Sequence, residues 1–195
     1  MKKWIIPIVL IVLLLFWGTS VNNTAVDLQE ATKSEWADVE SSYQRRNDLI
    51  GNLVKTVQGA ADFEKGTLTA VIEARAKATS INIDPTNITQ EQLAKFNEVQ
   101  GGLSGALKSL LVTVERYPEL KANQNFLELQ SQLEGTENRI NVARDRFNDV
   151  VKPYNQYVRK VPTKLIASLM GFKEMGYFEA EDGSDKAPDV DFDFE

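Results

Sequence analysis

The sequence predicts an all-α protein: an elongated antiparallel helical bundle behind one N-terminal transmembrane helix. Three observations carry this reading. Apolar residues recur at alternating spacings of three and four through most of the chain, which aligns them along one face of a helix. An uncharged run precedes them, from Trp4 to Val21. Between the periodic stretches stand Asp84-Pro85 and Tyr117-Pro118, and the residue before a proline disfavours helix. The chain so divides into a membrane segment over 1–21, a body over 22–178 and an acidic tail over 179–195.

As a helix, the uncharged run reaches about 27 Å, enough for a thin or slightly strained bilayer span. Trp4 and Phe16-Trp17 occupy its ends, as interfacial aromatics do, and Leu10 its middle. Pro7 falls near the first turn, where a missing N–H matters least. The run lacks a polar face, and the nearest approach to an Ala-x-Ala cleavage site is Gly18-Thr19-Ser20. An uncleaved signal anchor therefore fits better than a cleaved signal peptide. Lys2 and Lys3 lie on one side, and the next cation on the other is Lys33, so the positive-inside rule puts the N-terminus in the cytoplasm and the body outside.

Three long helices and a short one make up the body. The first runs from Asn22 to about Asn82, with Trp36, Val39, Tyr43, Ile50, Leu53, Val57, Ala60, Leu68, Val71, Ala74 and Ala78 on its stripe. Gly51, Gly59 and Gly66 each weaken it by up to about 1 kcal/mol relative to alanine, so it is bent or split in two. Arg46 falls on the stripe between Tyr43 and Ile50. It either snorkels to the rim or joins a buried ion pair. Thr89 with Gln92 forms a capping box for the second helix, which carries Leu93, Phe96, Leu103, Leu107, Leu110 and Val114 and runs to about Arg116. Asn123 or Asn125 caps the third, whose stripe is Phe126, Leu129, Leu133, Thr136, Ile140, Ala143, Phe147, Val150 and Tyr154. Pro153 implies a kink or early end there. Glu137 is the first candidate partner for Arg46, because mid-helix positions meet when long helices pack antiparallel. Pro162 opens a short helix through Met170, apolar at Leu165, Ile166 and Leu169, and Phe172, Tyr177 and Phe178 then tuck onto the bundle.

The chain of 195 residues has neither Cys nor His. That removes thiol nucleophiles, disulfides, the usual Ser-His-Asp base and most zinc sites. The formal charge is −6. Eight carboxylates against Lys186 give residues 179–195 a charge of −7, leaving +1 for everything before them. The body offers no basic face for nucleic acid, and the tail has a disordered composition.

Taken together, Tyr43-Gln44-Arg45-Arg46-Asn47-Asp48-Leu49-Ile50-Gly51-Asn52-Leu53-Val54, Tyr117-Pro118-Glu119-Leu120, Glu137-Asn138-Arg139-Ile140, Ala143-Arg144, Pro162 and Tyr177-Phe178 resemble the LemA family over roughly residues 20–178. Where family members commonly carry proline, this chain has Gly51. The resemblance implies a bacterial protein with one N-terminal membrane segment and an all-helical antiparallel bundle, in a family with magnetosome-membrane members and no general enzymatic activity or cofactor. With the lysine bias, it implies the inner membrane, with the body on the periplasmic side.

No catalytic, cofactor or metal residue is expected. Asp189, Asp191, Asp193 and Glu195 alternate like the start of a calcium loop, but lack its sixth-position glycine and twelfth-position glutamate. Arg45, Arg46, Asp48, Glu137, Arg139 and Arg144 are candidates for a structural polar network across two helices. The function expected is a non-enzymatic, membrane-anchored scaffold or interaction protein of the cell envelope. Its partners would be lipid, through the N-terminal helix, and either further copies of itself or another helical protein, with no nucleic acid. The alternatives are a lipid-associating or membrane-remodelling module, with Arg159, Lys160 and Lys164 as its basic cluster, and a hydrolase using Asp48, Glu137 and Arg46.

Overall fold

The computed structural model describes residues 5–59 and 63–179. Trp4, Ala60 and the tail from residue 180 onward, with its alternating aspartates, lie outside the described residues. Among those described, helices α1 (Ile5–Gln58), α2 (Lys65–Ser80), α3 (Gln90–Val114), α4 (Pro118–Lys121), α5 (Gln124–Arg159) and α6 (Thr163–Leu169) make up the fold.

Helix α1 is continuous for 54 residues, about 80 Å at the α-helical rise. It runs from the apolar segment into the bundle without a break. The first body helix is indeed split in two, but the division falls after Gln58, at Gly59, and not at Gly51. Gly51 instead permits a close approach. A Cβ there would lie 3.2 Å from Arg75 Cζ, and Arg75 Nε donates to the Asn47 carbonyl at 2.7 Å. That carbonyl already accepts from the Gly51 N–H in the helical pattern, and its second lone pair takes the arginine.

The expected caps are present. Thr89 and Gln92 close the capping box of α3, and Asn123 Oδ1 accepts from the N–H groups of Asn125 and Phe126 at 3.0 and 3.2 Å. Helix α3 ends at Val114, and Pro118 opens the single turn α4 as a first-turn residue. Pro153 does not end α5, which continues to Arg159. Its ring sits on the exposed face, where water can serve the carbonyl it leaves unpaired. Beyond Phe147 the buried positions are Val151, Tyr154, Asn155 and Val158, with Val150 only partly covered.

The four longer helices alternate in direction. Helix α5 lies along α1, and α2 returns along α3. Two apolar clusters fill the interior. One gathers Ile50, Leu53, Val57, Val71, Leu103 and Leu110. The other centres on Trp36, whose ring meets Phe96 at 5.8 Å and Phe147 at 5.5 Å edge-on, and stacks on Phe178 at 6.1 Å. Each such ring pair adds about 0.5–1.5 kcal/mol beyond its buried area.

Phe178 reaches that cluster at the end of an extended segment held by side-chain amides. Asn155 donates to the Met175 carbonyl at 2.7 Å and accepts from its N–H at 2.8 Å. Asn148 does the same for Phe178, at 2.8 and 2.9 Å, and Gln90 for Tyr177, at 3.2 and 2.9 Å. Tyr154 Oη donates to the Lys173 carbonyl at 2.8 Å. The segment runs so close to α3 that a Cβ on Gly176 would fall 2.7 Å from the Gln90 backbone.

The short α6 turns differently from expectation. It buries Ala167 and half-buries Ile166, while Leu165 and Leu169 are exposed. The bundle receives α6 through the small residue, so the two large ones cannot also face it.

Gly176→Ala forces backbone apart and should destabilise the protein by about 1–3 kcal/mol, read as a lower midpoint in thermal unfolding of the full chain in detergent. Burial pushes the Tyr154 phenol above its ordinary pKa of 10, against the opposing hydrogen bond to Lys173. Below pH 10 both states hold the proton. As pH rises past 10 the unfolded chain releases it first, so stability falls until the folded phenol also titrates. Tyr154→Phe should lower stability by about 1 kcal/mol at neutral pH and flatten this alkaline decline, measured by denaturant unfolding across pH.

Candidate functional site

Helices α1, α3 and α5 enclose a polar cleft of about 580 Å³, lined by Tyr43, Arg46, Gln100, Ser104, Glu137 and Arg144 among others. Arg46 enters it because the apolar stripe of α1 carries it inward; the residue is only 3% exposed. Its Nη1 donates to Ser104 Oγ at 3.2 Å and to Glu137 Oε1 at 3.1 Å. Its Nη2 donates to Gln100 Oε1, and the guanidinium lies over the Tyr43 ring at 4.9 Å. Gln100 Nε2 in turn donates to the Ala78 carbonyl at 3.5 Å. One side chain thus ties α1 to α3 and α5 directly, and to α2 through Gln100.

The Glu137 side chain is 42% exposed against 3% for Arg46. The pair therefore runs from core to surface, and solvent screens its outer end. The two hydrogen bonds from Arg46 to Gln100 and Ser104 are what compensate the buried cation.

The chemistry on offer is narrow. The Ser104 hydroxyl donates to the Gln100 carbonyl at 3.2 Å and accepts from Arg46, so it faces no base. Glu137 is engaged by the same arginine. Among the described residues no three carboxylates gather as a metal site would require.

The six residues of the expected polar network do not come together. Arg46 and Glu137 pair, and Arg144 lines the same cleft, where Nη2 donates to the Glu179 carbonyl at 2.9 Å and the guanidinium covers the Phe178 ring at 5.0 Å. Asp48 lies in a separate groove with Asn52, Lys55 and Arg75. Arg139 lies in another with Asp38, Asn138 and Arg146, and Arg45 is exposed. The hydrolase grouping of Asp48 with Glu137 and Arg46 is therefore dispersed: positions 46 and 48 point to different sides of α1, as a helix requires. Gln100 and Ser104 were not anticipated. Gln100 had a signal, for it interrupts the stripe of α3 between Phe96 and Leu103 as Arg46 interrupts that of α1.

Away from the cleft, α1 carries the single stretch in the described residues that is long and apolar enough to cross a membrane. Leu10 is exposed, and Trp17 borders on exposure.

Arg46→Ala leaves Gln100 without its cation and opens a void, at a cost of about 2–4 kcal/mol. Glu137→Ala removes only the screened partner and should cost about 1 kcal/mol. Thermal unfolding of the two single variants and the double should show this order, with the double less destabilised than the sum.

Comparison with known proteins gives a consistent set of relatives. The model of the LemA family matches residues 35–192. A magnetosome protein MamQ from Paramagnetospirillum magneticum is 27% identical over 180 residues, covering 84% of this chain and 66% of the relative. MamQ from Magnetospirillum gryphiswaldense matches to the same extent. A protein LemA from Metamycoplasma hominis is 21% identical over 144 residues, covering 74% of this chain and 62% of the relative. The chain thus spans just under two thirds of the length of these relatives. With a family match over most of its body and a helical bundle behind an apolar helix, the chain belongs to the LemA family.

Proposed function

We propose that this protein is a non-enzymatic scaffold of the bacterial cell envelope, anchored in the inner membrane by α1 and presenting its bundle outside the cytoplasm for association with further copies or with another helical protein. The observation that carries this reading is the continuity of α1. The same helix supplies the apolar segment and the core residues Trp36, Ile50 and Leu53, so the bundle is coupled to its anchor without a hinge. The cleft supports it as well, since Arg46 engages its polar groups in holding helices together. The relatives, named for a magnetosome and for the family itself, fit a membrane-associated protein of this kind.

Photocrosslinking amino acids at exposed positions on α1 and α5, such as Ser41 and Val142, should capture discrete higher-mass species from intact cells. Capture of nothing but monomer from both helices would count against the scaffold. Externally added protease should digest the bundle in spheroplasts; protection there with digestion in inverted vesicles would reverse the orientation.

A further inference from the structure

We propose that α6 is a membrane-surface foot, whose exposed apolar row inserts into the leaflet from which α1 emerges. Val161, Leu165 and Leu169 follow one another at intervals of four, with exposures of 78%, 71% and 89%. Leu165 and Leu169, four apart, share one face of α6, while Val161 stands two residues before the helix and Met170 just after it, both exposed. Outside α1, the other exposed large apolar residues described, Ile72, Val112, Leu127 and Val142, are scattered singly along the bundle. Single exposures need no explanation, whereas a clustered row does.

Position selects the occupant. A Cβ on Gly18 would lie 3.8 Å from Ile166 Cδ1, and Tyr157 Oη donates to the Val21 carbonyl at 3.5 Å. Helix α6 and the end of α5 therefore meet α1 where its apolar run gives way to Asn22 and Asn23. The described part of that run, Ile5 to Val21, spans about 26 Å, a few ångströms short of a hydrocarbon core of about 30 Å. A bilayer centred on it brings its boundary to the level of α6. The row then continues the apolar surface of α1 sideways along the membrane plane. Lys160 and Lys164 flank the row and are exposed, placed for headgroup phosphates with their stems along the apolar surface. Arg159, beside them, pairs with Glu174 at 3.3 Å.

This inference rests on the reading of α1 as a membrane span, and the test separates the two. The chain has no cysteine, so single cysteines at Leu10, Leu165, Leu169 and Lys108 can each carry an environment-sensitive fluorophore. The full chain is reconstituted in phosphatidylethanolamine–phosphatidylglycerol vesicles with and without lipids bearing a nitroxide near the glycerol backbone. Lys108 is exposed near the end of α3 remote from the membrane and is the aqueous reference. The expected result is loss of emission to the nitroxide at Leu165 and Leu169, blue-shifted spectra there, and neither effect at Lys108. If Leu10 is quenched by a deeper nitroxide while both α6 positions behave like Lys108, the foot is overturned and the anchor stands. If Leu10 also behaves like Lys108, the anchor falls and the foot with it. If the α6 positions are shielded from lipid nitroxide and aqueous quencher alike, protein covers the row, a second copy included, and the lipid assignment is wrong.

Discussion

The uninterrupted hydrogen-bond ladder of α1 is the constraint on which the structure depends. Each carbonyl from the apolar segment to Val54 can pair within the same helix, so no loop intervenes between lipid-compatible surface and protein core. The side chains change character along the rod while the backbone does not. Residues from Ile5 to Trp17 face outward without protein cover, and from Val21 onward the stripe Ala25, Thr32, Trp36, Val39 and Tyr43 is enclosed. Orientation of the bundle is thereby set by the direction in which one helix leaves its apolar surroundings, with α5 and α6 bracing it at Gly18 and Val21.

Two kinds of contact keep the other elements against this rod. The rings around Trp36 contribute nondirectional burial, to which Phe178 adds a late part of the chain. Arg46 contributes direction: its donors have fixed angles, and Gln100, Ser104 and Glu137 meet them only in one register of three helices. A buried cation is a poor source of net stability, but it discriminates strongly against a helix that slides by a turn. Apolar stripes tolerate such sliding more readily than a guanidinium fork does.

Much of this was legible in the sequence because burial on a helix sums over many positions. Trp36 through Val57, Leu93 through Val114 and Phe126 through Phe147 repeat the same spacing often enough that a local irregularity cannot hide it. The caps at Thr89 and Asn123 were legible because their partners lie within three residues. What escaped was decided between distant segments. Gly51 reads as a helix breaker, yet its missing side chain makes room for Arg75 from α2. Asp48 and Arg139 look like members of a network with Arg46, but helical geometry turns them onto other faces. In α6, three apolar residues read as a packing face, while the space beside α1 and α5 admits only Ala167 fully. Gln90, Asn148 and Asn155 gave no motif at all, because their partners are backbone atoms of an extended segment.

That last feature bears on how the family can vary. Each of the three amides addresses peptide groups, which every residue type except proline supplies alike. Along 172–179, substitution is then limited by shape where a side chain must fill the interior, as at Met175 and Phe178, and where no side chain fits, as at Gly176. The exposed positions Lys173 and Glu174 are freer to drift, while the asparagines and glutamine that hold the segment are not.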